Sequence, residues 1–204
     1  MDNERTDLIR EYVRDSMSGK RYEHIIGVES EAVFIAGTAG LDGKATTDIR
    51  KAALLHDLTK EWSPEKQLDY CRRNNIIPSL PGVCDPTLHS RTGAYYAREL
   101  FPDDVNDTVF GAIYYHTTGK ENMSLAEKII CLADFIEPGR QYEQCRELRR
   151  EFHDGLTGEN VLGKIDICLC RSFDLTINSL IRKGSIIDKN TFEARNYLIR
   201  TRTF

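Results

Sequence analysis

The chain has 204 residues, 40% of them hydrophobic and 29% charged, with a formal net charge of −4. That length suits one domain, and that composition suits a packed core rather than a disordered chain. An isoelectric point near 5.8 and the lack of a Lys/Arg block disfavour a nucleic-acid partner, and no run approaches the roughly 18 apolar residues of a membrane helix.

The N-terminus, MDNERTDLIREYVRD, is charged from its second residue and lacks a signal-peptide apolar stretch, so a cytoplasmic protein is expected. The periodicity is helical almost throughout. Helices are expected near 5–17, 22–36, 46–58, 64–74, 86–100, 104–116, 124–136, 142–152, 159–182 and 190–201. Ser63 with Pro64, and Asp85 with Pro86, read as N-cap and first helical position. Ser124 and Glu127 read as a capping box. The reach 74–85, with Pro78, Pro81 and Gly82, reads as a surface connection rather than a lid. No stretch alternates long enough to be a strand, so the expected class is all-α, one helical domain over 1–204. Six cysteines, at 71, 84, 131, 145, 168 and 170, form no CxxC pair and read as free thiols.

The chemistry resides in a few residues. There are five histidines, His24, His56, His89, His116 and His153, and four of them fall at or near expected helix ends. His56 is followed directly by Asp57 in AALLHDLTK, and Asp134 follows an apolar run in IICLADFIEP. An aspartate there is costly to bury unless it is paired or metal-bound. A lone helical histidine is more often a surface or satisfied core residue than a ligand. Here, however, the residues stand 32, 33, 27 and 18 positions apart from His24 through His56, His89 and His116 to Asp134. That spacing lets each come from a different helix and project inward, as in a helical-bundle metal site. His89 sits in the first turn of its helix, where the dipole disfavours imidazolium and leaves the neutral form that binds metal. His153, in charged surroundings, reads as a surface residue. GTAGLDGK resembles a Walker loop, but Ala45 stands where Ser or Thr should follow Lys44, and no strand precedes it.

The order His24, His56-Asp57, Asp134 resembles the HD superfamily of metal-dependent phosphohydrolases. RYEHIIGV, ALLHDLTK, LHSRTGAYYA, AIYYHTTG and LADFIEPGR, in that order, resemble the YqeK-type symmetrical diadenosine tetraphosphate hydrolases over about Arg21 to Arg140. After Tyr142 the chain departs from the family, which commonly continues with a Phe-Pro-Gly-Val-like turn where EQCREL stands here.

The resemblance implies an HD-type helical bundle with the metal site between helices. Its core would span about 21–140, with C-terminal helices over about 142–204 packed on it. His24, His56, Asp57 and Asp134 would hold one metal, and His89 and His116 would face a second metal or the substrate phosphates. Asp57, His89, His116 and Lys60 would be the catalytic set. Arg21, Leu58, Thr59, Lys60 and Arg140 would join them in contacting substrate, and residues near Ser179–Arg182 would border the nucleotide. The implied cofactor is iron in a two-metal centre; the ligand types alone leave manganese or another divalent metal open. The implied reaction is hydrolysis of P1,P4-diadenosine tetraphosphate to two ADP, and a homodimer is the base-rate expectation for such an enzyme. Competing readings are another HD-type nucleotidase or phosphodiesterase, a catalytically silent nucleotide-binding regulator, and an interaction module with incidental histidines.

Overall fold

The structure, a computed structural model, describes residues 2–77 and 86–201. Its elements are α1 (Asp2–Ser16), α2 (Gly19–Thr38), α3 (Gly43–Leu55), α4 (Pro64–Arg73), α5 (Leu88–Leu100), α6 (Asp107–Tyr115), α7 (Leu125–Ile136), α8 (Glu143–His153), α9 (Val161–Arg182) and α10 (Lys189–Thr201). The described residues contain no strand, and the architecture is a helical bundle. No described helix is long and apolar enough to cross a membrane.

Short polar side chains start many of these helices. Ser18, Asp42, Ser63, Asn106 and Ser124 each stand in extended backbone and accept the N–H of the residue three positions on. Each supplies an acceptor to one of the N–H donors a helix start leaves unpaired, worth about 1 kcal/mol. Ser124 and Glu127 close a reciprocal capping box, as their spacing predicts. Asp42 begins α3 three residues before the expected start, and Asn106 begins α6 three residues later than expected. Asp104 lies instead in the turn before α6, where its buried carboxylate pairs with Lys51 of α3 and Arg5 of α1. Asp85 and most of the 74–85 connection lie outside the described residues.

α3 occupies the middle, packed by α1, α2, α5, α6 and α7. Ile49, Ala52, Ala53, Leu54 and Leu55 are therefore all buried, and the two alanines let neighbouring helices approach. α7 lies against α2, α3, α6 and α9 through Ile129, Ile130, Leu132 and Ile136. α8 bridges α7 and α9, and α10 packs along α9. The C-terminal end of α3 thus opens between α2, α5, α6 and α7, and His56 and Asp57 stand there.

The ends of α3 and α6 and the start of α5 share one irregularity. His56 Nδ1 meets Ala53 O at 2.6 Å, His89 Nδ1 meets Pro86 O at 2.8 Å, and His116 Nδ1 meets Ile113 O at 2.7 Å. Each carbonyl would otherwise accept the amide four residues on in a continuing helix, and of backbone amides Ile113 O takes instead only the long bond from His116 N at 3.5 Å. α3 therefore stops at Leu55 instead of running to 58, and α6 stops at Tyr115. α5 starts at Leu88 instead of Pro86, after a tight turn in which Ser90 N donates to Thr87 O.

Candidate metal centre

Five of these helices and the segments that flank them bring the singled-out residues together. His24 comes from α2, His56 and Asp57 follow α3, His89 lies in the first turn of α5, His116 follows α6, and Asp134 comes from α7. Asp57 presents its two oxygens to two sides. Oδ2 lies 3.6 Å from His24 Nε2 and 3.5 Å from His56 Nε2. Oδ1 lies 3.2 Å from His89 Nε2 and 3.7 Å from His116 Nε2. Asp134 Oδ1 lies 3.0 Å from His24 Nε2 and 4.0 Å from His56 Nε2. Two overlapping groups, His24/His56/Asp134 and His56/Asp57/His116, hold their potential ligand atoms within 4.8 Å of one another.

The tautomers follow from the helix ends. A backbone carbonyl only accepts, so Nδ1 of His56, His89 and His116 must carry the hydrogen. Nε2 of each then presents a lone pair to the carboxylates, acceptor facing acceptor. Nε2 of His24 and of His56 are buried with no hydrogen-bond partner. Lone pairs of nitrogen and oxygen converging this way are the donor set of a divalent transition metal, and the outer hydrogen bonds on Nδ1 are what such ligands normally have. These residues fit a metal, as the sequence spacing predicts.

The electrostatics agree for His56, His89 and the two carboxylates, and set His24 apart. Burial pushes His56 down to about 3 and His89 down to about 4, both against the pull of Asp57. His89 is neutral as expected, but burial rather than the helix dipole is the main cause. Burial lowers His24 too, yet Asp134 and Glu137 carry it up to about 9. Burial raises Asp57, and His56, His116 and His89 outweigh it, holding the carboxyl well below the usual range. Asp134 is likewise held low, burial being overcome by Arg140, His24 and His56. The site therefore keeps two carboxylates ionised in a largely dry space, an arrangement that favours a cation.

Comparison with known proteins agrees with this chemistry. The family model for the HD domain matches residues 21–139, which include all six convergent residues. The chain belongs to the HD-domain family. A symmetrical bis(5'-nucleosyl)-tetraphosphatase of Halalkalibacterium halodurans is 33% identical over 92% of this chain and 93% of its own. One from Bacillus subtilis is 30% identical over 92% of this chain and 94% of its own. Among solved structures, a Clostridium acetobutylicum protein described as a predicted HD superfamily hydrolase involved in NAD metabolism superimposes with a TM-score of 0.78 at 35% identity. That match covers 96% of this chain and 97% of the other.

Around the HD pair, cations form a rim. Arg21 Nη1 bonds Asp57 Oδ2 at 2.6 Å, and Arg140 Nη2 bonds Asp134 Oδ1 at 2.5 Å. Lys60 Nζ lies 3.2 Å from His89 Nε2. Burial lowers the lysine, while Asp57 and Asp134 oppose that. One cleft, of about 760 Å³, runs past Lys20, Arg21, His24 and Arg140. A second, of about 570 Å³, runs from Arg140 and Tyr142 to Ser179, Leu180 and Lys183.

Leu58 and Thr59 stand apart from this group. Leu58 is buried in the apolar core, and Thr59 Oγ1 donates to His89 O at 2.9 Å beneath α5. His153 is partly exposed and pairs with Glu31 at 2.9 Å, away from the centre. The five described cysteines are buried and form no disulfide with one another. Two residues escaped the sequence reading. Thr117 Oγ1 lies 3.3 Å from His89 Nε2, and Glu137 Oε1 lies 3.1 Å from His24 Nδ1. Glu137 falls one turn after Asp134, a spacing that could have drawn attention to it.

Proposed function

We propose that this HD domain is a metal-dependent phosphohydrolase that cleaves P1,P4-diadenosine tetraphosphate symmetrically to two ADP. The observation that carries the reading is the convergence of four imidazole Nε2 atoms on Asp57 and Asp134, two of which, on His24 and His56, are buried with no hydrogen-bond partner. Relatives of matching length that bear the tetraphosphatase name support the substrate. His24, His56, Asp57 and Asp134 would hold one metal, with His89 and His116 on the far side of Asp57 serving a second. We take the metal to be iron; the mixed nitrogen and oxygen donors suit a borderline transition metal better than calcium. When bound, such cations supply an activated water near neutral pH and polarise phosphoryl oxygens.

The chain's own residues do the rest. The Arg21 and Arg140 guanidiniums each spend part of their donors on a carboxylate and keep others for phosphate oxygens. Arg21 Nε is buried with no partner. Lys60 adds a point charge beside His89. Together they neutralise a polyphosphate carrying about four charges on a chain that is acidic overall. Water attacks the second phosphorus from one adenosine and gives up a proton to solvent, the bond from that phosphorus to the bridging oxygen breaks, and the oxygen departs on the third phosphorus as part of the terminal phosphate of the second ADP. The two clefts meeting at Arg140 give the two halves separate ways out.

Chromatography of the products tests the cleavage geometry. ADP as sole product supports it; ATP plus AMP in equal amounts contradicts it.

A further inference from the structure

His24 is held differently from the other three imidazoles. They donate Nδ1–H to a backbone carbonyl three residues back, whereas His24 Nδ1 faces the carboxylate of Glu137. The Glu137 side chain is only 3% exposed. Its Oε2 accepts the Gly139 amide. Arg149 of α8 donates to the carbonyls of Ile136, Glu137 and Arg140, which pins this stretch of chain.

The space around Glu137 is cleared by glycine. A Cβ at Gly27, on α2 three residues after His24, would stand 2.5 Å from Glu137 Oε2. One at Gly139 would stand 2.9 Å from the same atom. Gly27 lies inside a helix, where glycine is less favourable than alanine. Clearance for the carboxylate accounts for its presence there.

We propose that Glu137 is a positioning residue for the cation site, holding His24 with Nδ1–H toward itself and the Nε2 lone pair toward Asp57 and Asp134, with Gly27 as the clearance that permits it. This rests on the reading that His24 ligates a cation. A carboxylate behind a histidine fixes the tautomer and ring and makes the imidazole a stronger donor. Losing such a partner typically weakens metal binding roughly 10- to 100-fold.

The test is the affinity of the metal-stripped full chain for Mn²⁺, measured by competition with a chelator, together with the melting temperature of the metal-free protein. His24→Ala, Glu137→Gln and Gly27→Ala are compared with the parent. Glu137→Gln should bind Mn²⁺ roughly 10- to 100-fold more weakly, and Gly27→Ala several-fold more weakly although alanine favours the helix. KM for the tetraphosphate at saturating Mn²⁺ should stay unchanged in both. Parent-like Mn²⁺ affinity in Glu137→Gln beside weakened His24→Ala overturns the positioning role and leaves the metal reading standing, even if the melting temperature falls. Parent-like affinity in Gly27→Ala overturns the clearance. Parent-like affinity in His24→Ala removes the metal reading and this inference with it.

Discussion

Asp57 sits between four imidazoles with an oxygen toward each pair, and no other carboxylate in the site reaches both sides. Asp57→Ala and Asp134→Ala should therefore reduce turnover below detection, while far-UV circular dichroism stays at the parent value because the apolar core is untouched. Activity retained in either would remove that residue from the centre. Lys60→Ala deletes one charged contact, worth about 1.5–3 kcal/mol, and should raise KM by about tenfold or more in steady-state kinetics. At this scale the sequence was informative: a histidine-aspartate pair and an aspartate ending an apolar run are costly to fold unless something compensates them. Glu137 was less legible. Its partner His24 is 113 positions away, and its dependence on Gly27 exists only once α2 and α7 are packed.

Among the elements, helix existence followed the apolar period, but the ends near the site did not. His56, His89 and His116 each take a carbonyl that a regular helix would have used. Periodicity cannot see that diversion, because it is made by side chains serving the site. Where short polar caps stand, as at Ser63 and Ser124, the starts were legible from local chemistry. The turn after α6 offers a further test. Gly119 has φ +62°, and a Cβ there would lie 2.6 Å from Phe173 of α9 and 2.9 Å from Ala194 of α10. Gly119→Ala should destabilise the protein by about 2 kcal/mol, combining an unfavourable backbone region with overpacking. Urea unfolding measures it, and an unchanged midpoint would contradict the packing of α9 and α10 on that turn.

Across the whole molecule, a net charge of −4 coexists with a cationic rim of Arg21, Lys60 and Arg140 around the two central carboxylates. Far from it, buried Asp104 joins α1 to α3 through Arg5 at 2.8 Å and Lys51 at 3.0 Å. Burial raises Asp104, but these two cations outweigh it, leaving it below its ordinary value. A carboxyl depressed in the folded state contributes stability that is complete above its unfolded pKa of about 3.9 and is lost as pH falls through the folded value. Asp104→Asn should thus destabilise the protein at pH 7 and flatten its acid-side loss of stability below about pH 4. Denaturant midpoints across pH check this; a parent-like slope would contradict it.

On the proposed function, the convergent histidines and aspartates hold divalent transition metal. Elemental analysis of anaerobically purified protein tests it most directly. About two metal ions per chain, principally iron, are predicted for the parent, with a marked loss in Asp57→Ala. A parent without stoichiometric transition metal, or an Asp57→Ala variant with undiminished metal, would contradict it.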